Sequence, residues 1–496
     1  MTDVDTSNRP GDWTRENNEN GNGNENEKEF ERDNGNEFEH NGIYHMYPNY
    51  GAYNMHENDK DTEEYPAVIK TKSTQLYDEE VAGHKQEGPP DDNYGGAGPP
   101  PDGGLLAWTQ VIMAHLVTFN TWGYVTSFGV FQSYYTESLG RSPSDISWVG
   151  SVQVFLLFFV GIFSGRASDS GYFRTMLLSG AVLEIFCIMM TSLCTQYWQL
   201  FLAQGIGQSI GAGMMFCPTT ALTPTYFTSK RTFAMGIVAS GSATGGMVFP
   251  AVVLRLLPRV GYPWTMRTLG FIALGSLTPS LILLRQRVPP RKAGPLVEWA
   301  AFKEAPYSLF TVGMFLNFCG IYVGYFYIGS FGRNIIGVSE TVSVYVLLVM
   351  NGVGLPMRLI PALCASKFTG PLNILVPSSF ATGLVTYGWP GVKSLGGLYA
   401  WTVIYGSVAA SFQALFPGTL GSLTNDLQRV GVRMGMVFAV LAIAALIGSP
   451  IAGALVQADR GAYLYAQMFM ASCITAGSLV LVACRVARLG FRIGRV

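Results

Sequence analysis

Arg358, in "NGVGLPMRLIPALCAS", is a lone cation inside an otherwise uncharged apolar run. A guanidinium stays protonated even when burial penalises its charge, and its planar fork matches a carboxylate with two parallel hydrogen bonds. In hydrocarbon such a group faces the interior of a helix bundle or a wet cavity. The position one turn before it, Gly354, carries no acid, so the counter-charge is expected from a bound substrate. The alternatives are a structural arginine held by backbone carbonyls or Asn351, or one that snorkels toward an interface. Proton chemistry has two candidates: Glu184 in "SGAVLEIFCIMM", the one acid deep in an apolar run, and His115 in the first such run. Neutral hydrogen-bonding groups recur in other apolar runs: Asn120, Tyr124, Gln204, Gln208, Asn317, Tyr322, Tyr325 and Gln413. Scattered polar groups among Phe and Met suit a small-molecule pocket. The same amides also join helices to one another, and that reading stays open for each.

Bond-making chemistry is not indicated. No Gly-x4-Gly-Lys-Ser/Thr phosphate loop occurs, and the seven cysteines, none in a Cys-x-x-Cys pair, lie in or beside apolar runs. The sequence is therefore read as no enzyme, with no cofactor and no metal. Its expected partners are a small organic molecule, the lipid bilayer and, as a candidate coupling ion, the proton; nucleic acid is not expected.

The elements that must position these residues follow from the charge distribution. Residues 1–104 hold 24 of the 33 acids and 8 of the 32 bases, leaving nine acids and 24 bases for the remaining chain. That scarcity marks a polytopic membrane protein. The acidic segment 1–104, rich in Asn, Glu and Gly, is expected to be a disordered cytosolic tail without a signal peptide. Apolar windows predict twelve transmembrane helices, six within 105–284 (105–131, 146–165, 173–194, 197–222, 232–256, 265–284) and six within 306–486 (306–331, 340–365, 371–390, 395–417, 433–456, 462–486). A basic cytosolic linker, 285–305, joins the halves, and a short basic tail, 487–496, closes the chain. With the N-terminus inside, sixteen Lys and Arg fall on the cytosolic side and seven outside, which predicts a multi-pass cell-membrane protein with both termini cytosolic. "GRASDSGYFR" after the second span is echoed by "ALCASKFTGP" after the eighth. Two six-helix halves around a midplane site is a frequent plan of secondary transporters.

In "YFTSKRTFAMGIVASGSATGG", residues 226–246, small residues recur at i, i+4 spacing: Gly236, Ser240, Thr244 and Gly241, Gly245. Lipid tails are as apolar as leucine, so helices in a bilayer associate by close backbone approach. The stretch is expected to pack tightly on neighbouring spans.

Together with "PDGGLLAW" and "YWQLFLAQGIGQSIGAG", these motifs resemble the monocarboxylate-porter branch of the major facilitator superfamily, most closely its fungal members, from about residue 100 onward. The resemblance implies the twelve-helix fold of that superfamily, with spans 1, 4, 7 and 10 lining the cavity and spans 3, 6, 9 and 12 outside. Gly165, Asp169, Gly171 and Arg174 are similar to its signature between the second and third spans, which implies gating by Asp169 and Arg174; the candidate partners of Asp169 are a helix N-terminus, where partial positive charge gathers, or a facing arginine such as Arg433. Animal proton symporters of the branch carry a lysine in the first span and Asp-x3-Arg in the eighth; here Thr126 and Gly354 stand at the first two positions and only the arginine, Arg358, is retained. The helix-5 antiporter signature is absent, since the proline of "ASGSATGGMVFP" comes late, at Pro250. The resemblance thus implies a secondary transporter moving an organic acid or amphipathic metabolite by alternating access, with efflux of a secondary metabolite across the plasma membrane as the leading reading. A proton-coupled monocarboxylate importer and a non-transporting nutrient sensor are the alternatives.

Overall fold

The computed structural model describes residues 98–290, 297–424 and 430–490, together with Gly494. Nearly all of the segment expected to be disordered, 1–104, lies outside the described residues, as do parts of the linker and of the C-terminal tail. Among the described residues every regular element is helical.

The N-terminal set begins with α1, Gly104–Thr126, which bends at Ser127 into α2, Phe128–Leu139. The Ser127 hydroxyl donates to the Gly123 carbonyl at 2.7 Å, so the bend leaves that carbonyl satisfied. The helix α3, Pro143–Ala167, starts on Ser142, whose hydroxyl accepts from the Asp145 amide, with proline at the first helical position. Next come α4, Phe173–Thr191, and α5, Tyr197–Thr225, which is π-helical over Phe201–Gly207. The helix α6, Arg231–Leu283, runs for 53 residues, about 80 Å at 1.5 Å per residue. A bilayer core needs roughly 30 Å. Gly261, at φ 73°, breaks α6 into two arms; the backbone there is left-handed, where a Cβ is strained.

The C-terminal set comprises α7, Ala305–Phe331; α8, Glu340–Cys364; α9, Pro371–Tyr387; α10, Leu395–Leu423; α11, Val430–Ala458; and α12, Leu464–Leu489. The repeat seen in the sequence has a structural counterpart. After α3 and after α8 the chain makes π-helical turns, Ser168–Tyr172 and Ala365–Thr369, and in each place a glycine, Gly171 or Gly370, takes positive φ.

Among the described residues eight helical segments are long and apolar enough to cross a membrane. Two of them, Pro143–Thr191 and Arg231–Leu283, are far longer than one crossing needs. Large apolar side chains point outward along the segments, among them Phe163, Phe186, Phe271, Leu384 and Leu479, each more than half exposed. Such a surface has lipid as its natural solvent.

Small residues do what their spacing suggested, toward two neighbours at once. A Cβ on Gly241 or Gly245 of α6 would overlap the carbonyl oxygens of His115 and Phe119 on α1. One on Gly236 would lie 2.7 Å from the Ala362 Cβ on α8. The two sets meet along this α6–α8 seam and along α3–α11, where Gly435 faces Ile162. One end of the bundle, here the near end, gathers the starts of α1 and α7 and the ends of α6 and α12: Gln110 accepts from the Arg285 amide, Cys484 donates to the Pro306 carbonyl, and Gln286 to that of Ser168. The opposite, far end is shut. Phe128 and Phe326 pack with ring centroids 5.2 Å apart, and a Cβ on Gly129 would lie 2.8 Å from the Tyr325 carbonyl oxygen.

Candidate functional site: a buried arginine in an aromatic cavity

Two prolines, Pro356 and Pro361, sit inside α8 on either side of Arg358. Pro361 has no amide to offer the carbonyl of Met357, and the Ser411 hydroxyl of α10 takes its place at 2.9 Å. The arginine side chain points into the seam between the two sets. It is 1 % exposed, yet neither terminal nitrogen of its guanidinium has a hydrogen-bond partner among the described residues. Tyr322 and Tyr325 of α7 lie beside it, and Gln413 of α10 donates to the Tyr325 hydroxyl at 3.2 Å. A Cβ on Gly354 would lie 2.6 Å from Nη1. The guanidinium thus occupies the space over the glycine where the animal symporters have an acid. Asn351 is not its holder: its amide donates to Leu347, and its oxygen lies toward Gly246 and Thr126.

Arg358 opens on a cavity of about 60 Å³ lined from both sets, by α1, α5 and α6 on one side and α7, α8 and α10 on the other. Its wall is aromatic. Trp122 of α1 stacks on Tyr322 of α7 at 6.0 Å and 15°, Phe216 packs on Trp122, and Phe318 on Phe416. A cation with free donors in an apolar, aromatic wall can seize an anionic head while the rings hold a hydrocarbon body.

Of the polar residues singled out in the sequence, Arg358, Tyr322 and Gln413 line this cavity. Tyr325 lies beside Arg358 outside that lining, and the others lie elsewhere. Asn120 donates to Ser276 on the second arm of α6 at 2.9 Å. Asn317 accepts from Ser379 of α9 at 2.7 Å, and Ser379 meets Ser478 of α12. His115 contacts Ile237, Ser240 and Thr244 through its two ring nitrogens, joining α1 to the small-residue face of α6. Gln204 accepts from Tyr135 at 2.6 Å. Tyr124, Gln208 and Glu184 are buried in the N-terminal set, outside the cavity lining.

At the near end, Asp169 stands in the π-helical turn after α3 and an exposed Arg174 in the first turn of α4. Gly165 lets α3 approach α5, where its Cβ would lie 3.1 Å from the Cys217 sulfur. Arg433 does not carry out the expected pairing with Asp169. Its guanidinium is held by two glutamates, Glu298 at 3.1 and 3.2 Å and Glu304 at 2.9 Å, and lies over the Tyr307 ring. A guanidinium whose fork is filled by two carboxylates has little left for a third. Both glutamates fall in a linker read from the sequence by its net basic charge, which hid them. Trp122, Phe216 and Phe318 were missed as well, because aromatic residues are abundant in every span and only the rotational phase of each helix selects those that face inward.

The model of the Major Facilitator Superfamily matches residues 112–426. An MFS-type transporter of Gibberella zeae is 45 % identical over 390 residues, which span 78 % of this chain and 88 % of that protein. The aspyridones efflux protein of Emericella nidulans is 37 % identical over 77 % of this chain and 78 % of its own. The fujikurins efflux protein of Gibberella fujikuroi is 32 % identical over 78 % and 84 % respectively.

Proposed function

This chain belongs to the major facilitator superfamily and is a transporter rather than an enzyme, and from that premise we propose that it exports an amphipathic organic acid, a fungal secondary metabolite, by alternating access. The observation that carries the substrate class is that the two terminal nitrogens of Arg358 have no hydrogen-bond partner among the described residues and open on an aromatic cavity. Tyr322, Tyr325 and Gln413 complete the anion's surroundings, and Trp122, Phe216 and Phe318 hold its apolar body. Efflux as the direction draws support from the names of two relatives, the aspyridones and fujikurins efflux proteins. The branch is that of the monocarboxylate porters.

The membrane topology is twelve spans in two six-helix halves, 105–284 and 306–486. Pro143–Thr191 and Arg231–Leu283 each make two crossings, and α1 and α9 supply the two that fall outside the apolar segments. Both termini are cytosolic at the plasma membrane, so the near end faces the cytosol and the closed far end the exterior. Asp169, Arg174 and Arg433 work at the cytosolic gate, Arg433 through Glu298 and Glu304.

The test is flux of an aromatic carboxylate, and of its methyl ester, through membrane vesicles carrying the chain. The acid is transported and the ester is not. Arg358→Lys keeps the charge but loses the fork, and lowers acid flux about tenfold or more, as expected for one charge-assisted hydrogen bond. Equal flux of acid and ester, or full flux in the lysine variant, overturns the anionic cargo. Uptake driven by external acid, in place of efflux, would favour the importer.

A further inference from the structure

The far end of the N-terminal set holds a second hollow, of about 530 Å³, between α2, the turn after α4 and the bend of α6. Tyr135, Tyr262, Cys194 and Arg267 are part of its lining. Arg267 is occupied there, with Ser192 at 3.3 Å and the Trp264 ring beneath it. The inner wall is a tyrosine pair: the hydroxyls of Tyr135 and Tyr262 lie 3.1 Å apart, and Tyr135 donates inward to the Gln204 oxygen.

Behind this pair four polar side chains are buried without full partners. The Tyr124 hydroxyl, Gln204 Nε2, Gln208 Oε1 and both oxygens of Glu184 make no hydrogen bond among the described residues, and each residue is at most 2 % exposed. They belong to one region. Tyr124 is within electrostatic range of both Glu184 and Tyr262, and Tyr124, Phe131 and Tyr135 stack in a row. A Cβ on Gly211, three residues beyond Gln208, would lie 2.7 Å from the Glu184 amide nitrogen. Orphaned polar groups are few in folded proteins, so a concentration around one carboxyl calls for an occupant.

We infer that Glu184 is a proton-binding site, separate from the anion cavity and loaded from the far end through the hollow, with Tyr135 and Tyr262 as its gate. This rests on the transporter reading above and names the ion that its cycle uses. The groups facing Glu184 define what it can bind. From α1 comes Tyr124 and from its own helix Cys187; α5 packs on it at Gly211, and α6 packs on α4 with Gly270 against Met189 and Ile188. Among the described residues no cation pairs with it, so an ionised Glu184 is an uncompensated charge in a low-dielectric setting. A hydronium ion that passes the tyrosines donates to the Gln208 oxygen and to the remaining lone pair of the Gln204 oxygen. It gives its proton to the carboxylate, leaving one water and one neutral carboxylic acid, and release reverses the step.

The helix that carries the amides also reaches the anion cavity. Gln204 lies in the π-helical turn of α5, while Phe216 and Thr220 of the same helix line the cavity, with Pro218 between them. Wide turns of this kind concentrate at functional sites, where they let a helix readjust. The charge at Glu184 therefore acts on the cavity through α5.

The test needs no transported substrate. The purified full chain in liposomes is given a step in external pH, and the carbonyl stretch of protonated carboxyls is followed by infrared difference spectroscopy. A band that titrates in the wild type is absent in Glu184→Gln and returns, shifted in frequency, in Glu184→Asp. Labelling native Cys194 with a bulky maleimide plugs the hollow and slows the band's response, and Cys194→Ser is immune. An unchanged titrating signal in Glu184→Gln overturns the site. An unaltered rate after labelling overturns the route without any variant having to fold. Either failure leaves the efflux reading standing, since that is decided by the acid and ester fluxes.

Discussion

The space above Gly354 decides what the arginine can hold. With no side chain there, Arg358 lays Nη1 over the glycine, and on the proposed reading its terminal donors serve the cargo. Gly354→Asp restores the acid of the animal symporters at the cost of that freedom, because the new carboxylate and the guanidinium form their own charge-assisted pair. Flux of an anionic cargo is expected to drop about tenfold or more, with the variant still reaching the membrane; unchanged flux would mean that the arginine never met the anion. A second single residue, at the near end, responds to pH. Asp102 accepts from the amides of Thr228 and Ser229 at 3.0 and 3.2 Å and from the Ser229 hydroxyl. Slight burial works against its charge, but these hydrogen bonds outweigh it and hold the carboxyl well below the usual carboxylate range. A depressed folded value stabilises the fold above the unfolded value of about 4, and this contribution is lost as pH falls through the folded value. Asp102→Asn is therefore expected to melt lower than wild type at neutral pH and to converge with it in strong acid. A melting difference that does not shrink under acid would rule out this linkage.

Helix α6 carries its own prediction, and it separates what sequence can and cannot disclose. Gly245→Val drives a branched side chain into the α1 backbone, where a Cβ would already lie 2.7 Å from Gly123 Cα; overpacking of this kind costs roughly 1–3 kcal/mol. Gly275→Ala, on the same helix with nothing within 4 Å, changes stability by about 1 kcal/mol or less. Thermal unfolding in detergent reads both, and equal melting points would remove the close-packing account. The α6 surface was legible because a row of small residues at i, i+4 has one physical use in a bilayer. The apolar helical segments were legible from hydropathy. The composition of the cavity was less so. Asn120 and Asn317 differ from Gln413 in no local feature, and their direction depends on helix phase, which the π-helical turns of the bundle shift by an amount no residue pattern announces. Arg433 shows the other limit: its partners Glu298 and Glu304 lie more than a hundred residues away, in a segment whose net charge has the opposite sign.

For the whole molecule, the two sets must part at the far end before a cargo can leave there. Three contacts oppose this: Phe128 on Phe326, Gly129 on the Tyr325 backbone, and Glu137 with Arg333 at 3.5 Å. Their weights differ. Glu137 is 71 % exposed, and an ion pair in water contributes at most about 1 kcal/mol, a shift of roughly fivefold in a two-state ratio. The glycine contact sets backbone against backbone and has no room to yield. Glu137→Lys, which sets two cations face to face, is thus expected to move the far-end equilibrium modestly toward open, and Gly129→Leu to move it much further by wedging α2 from α7. Spin labels placed across the far end on α2 and α7 measure the distance directly. The long-distance population should rank Gly129→Leu above Glu137→Lys above the wild-type background, and efflux should fall in the leucine variant because the cycle cannot close again. If Glu137→Lys opens the far end more than Gly129→Leu, charge rather than packing holds the halves together, and the rocking geometry drawn from these contacts is wrong.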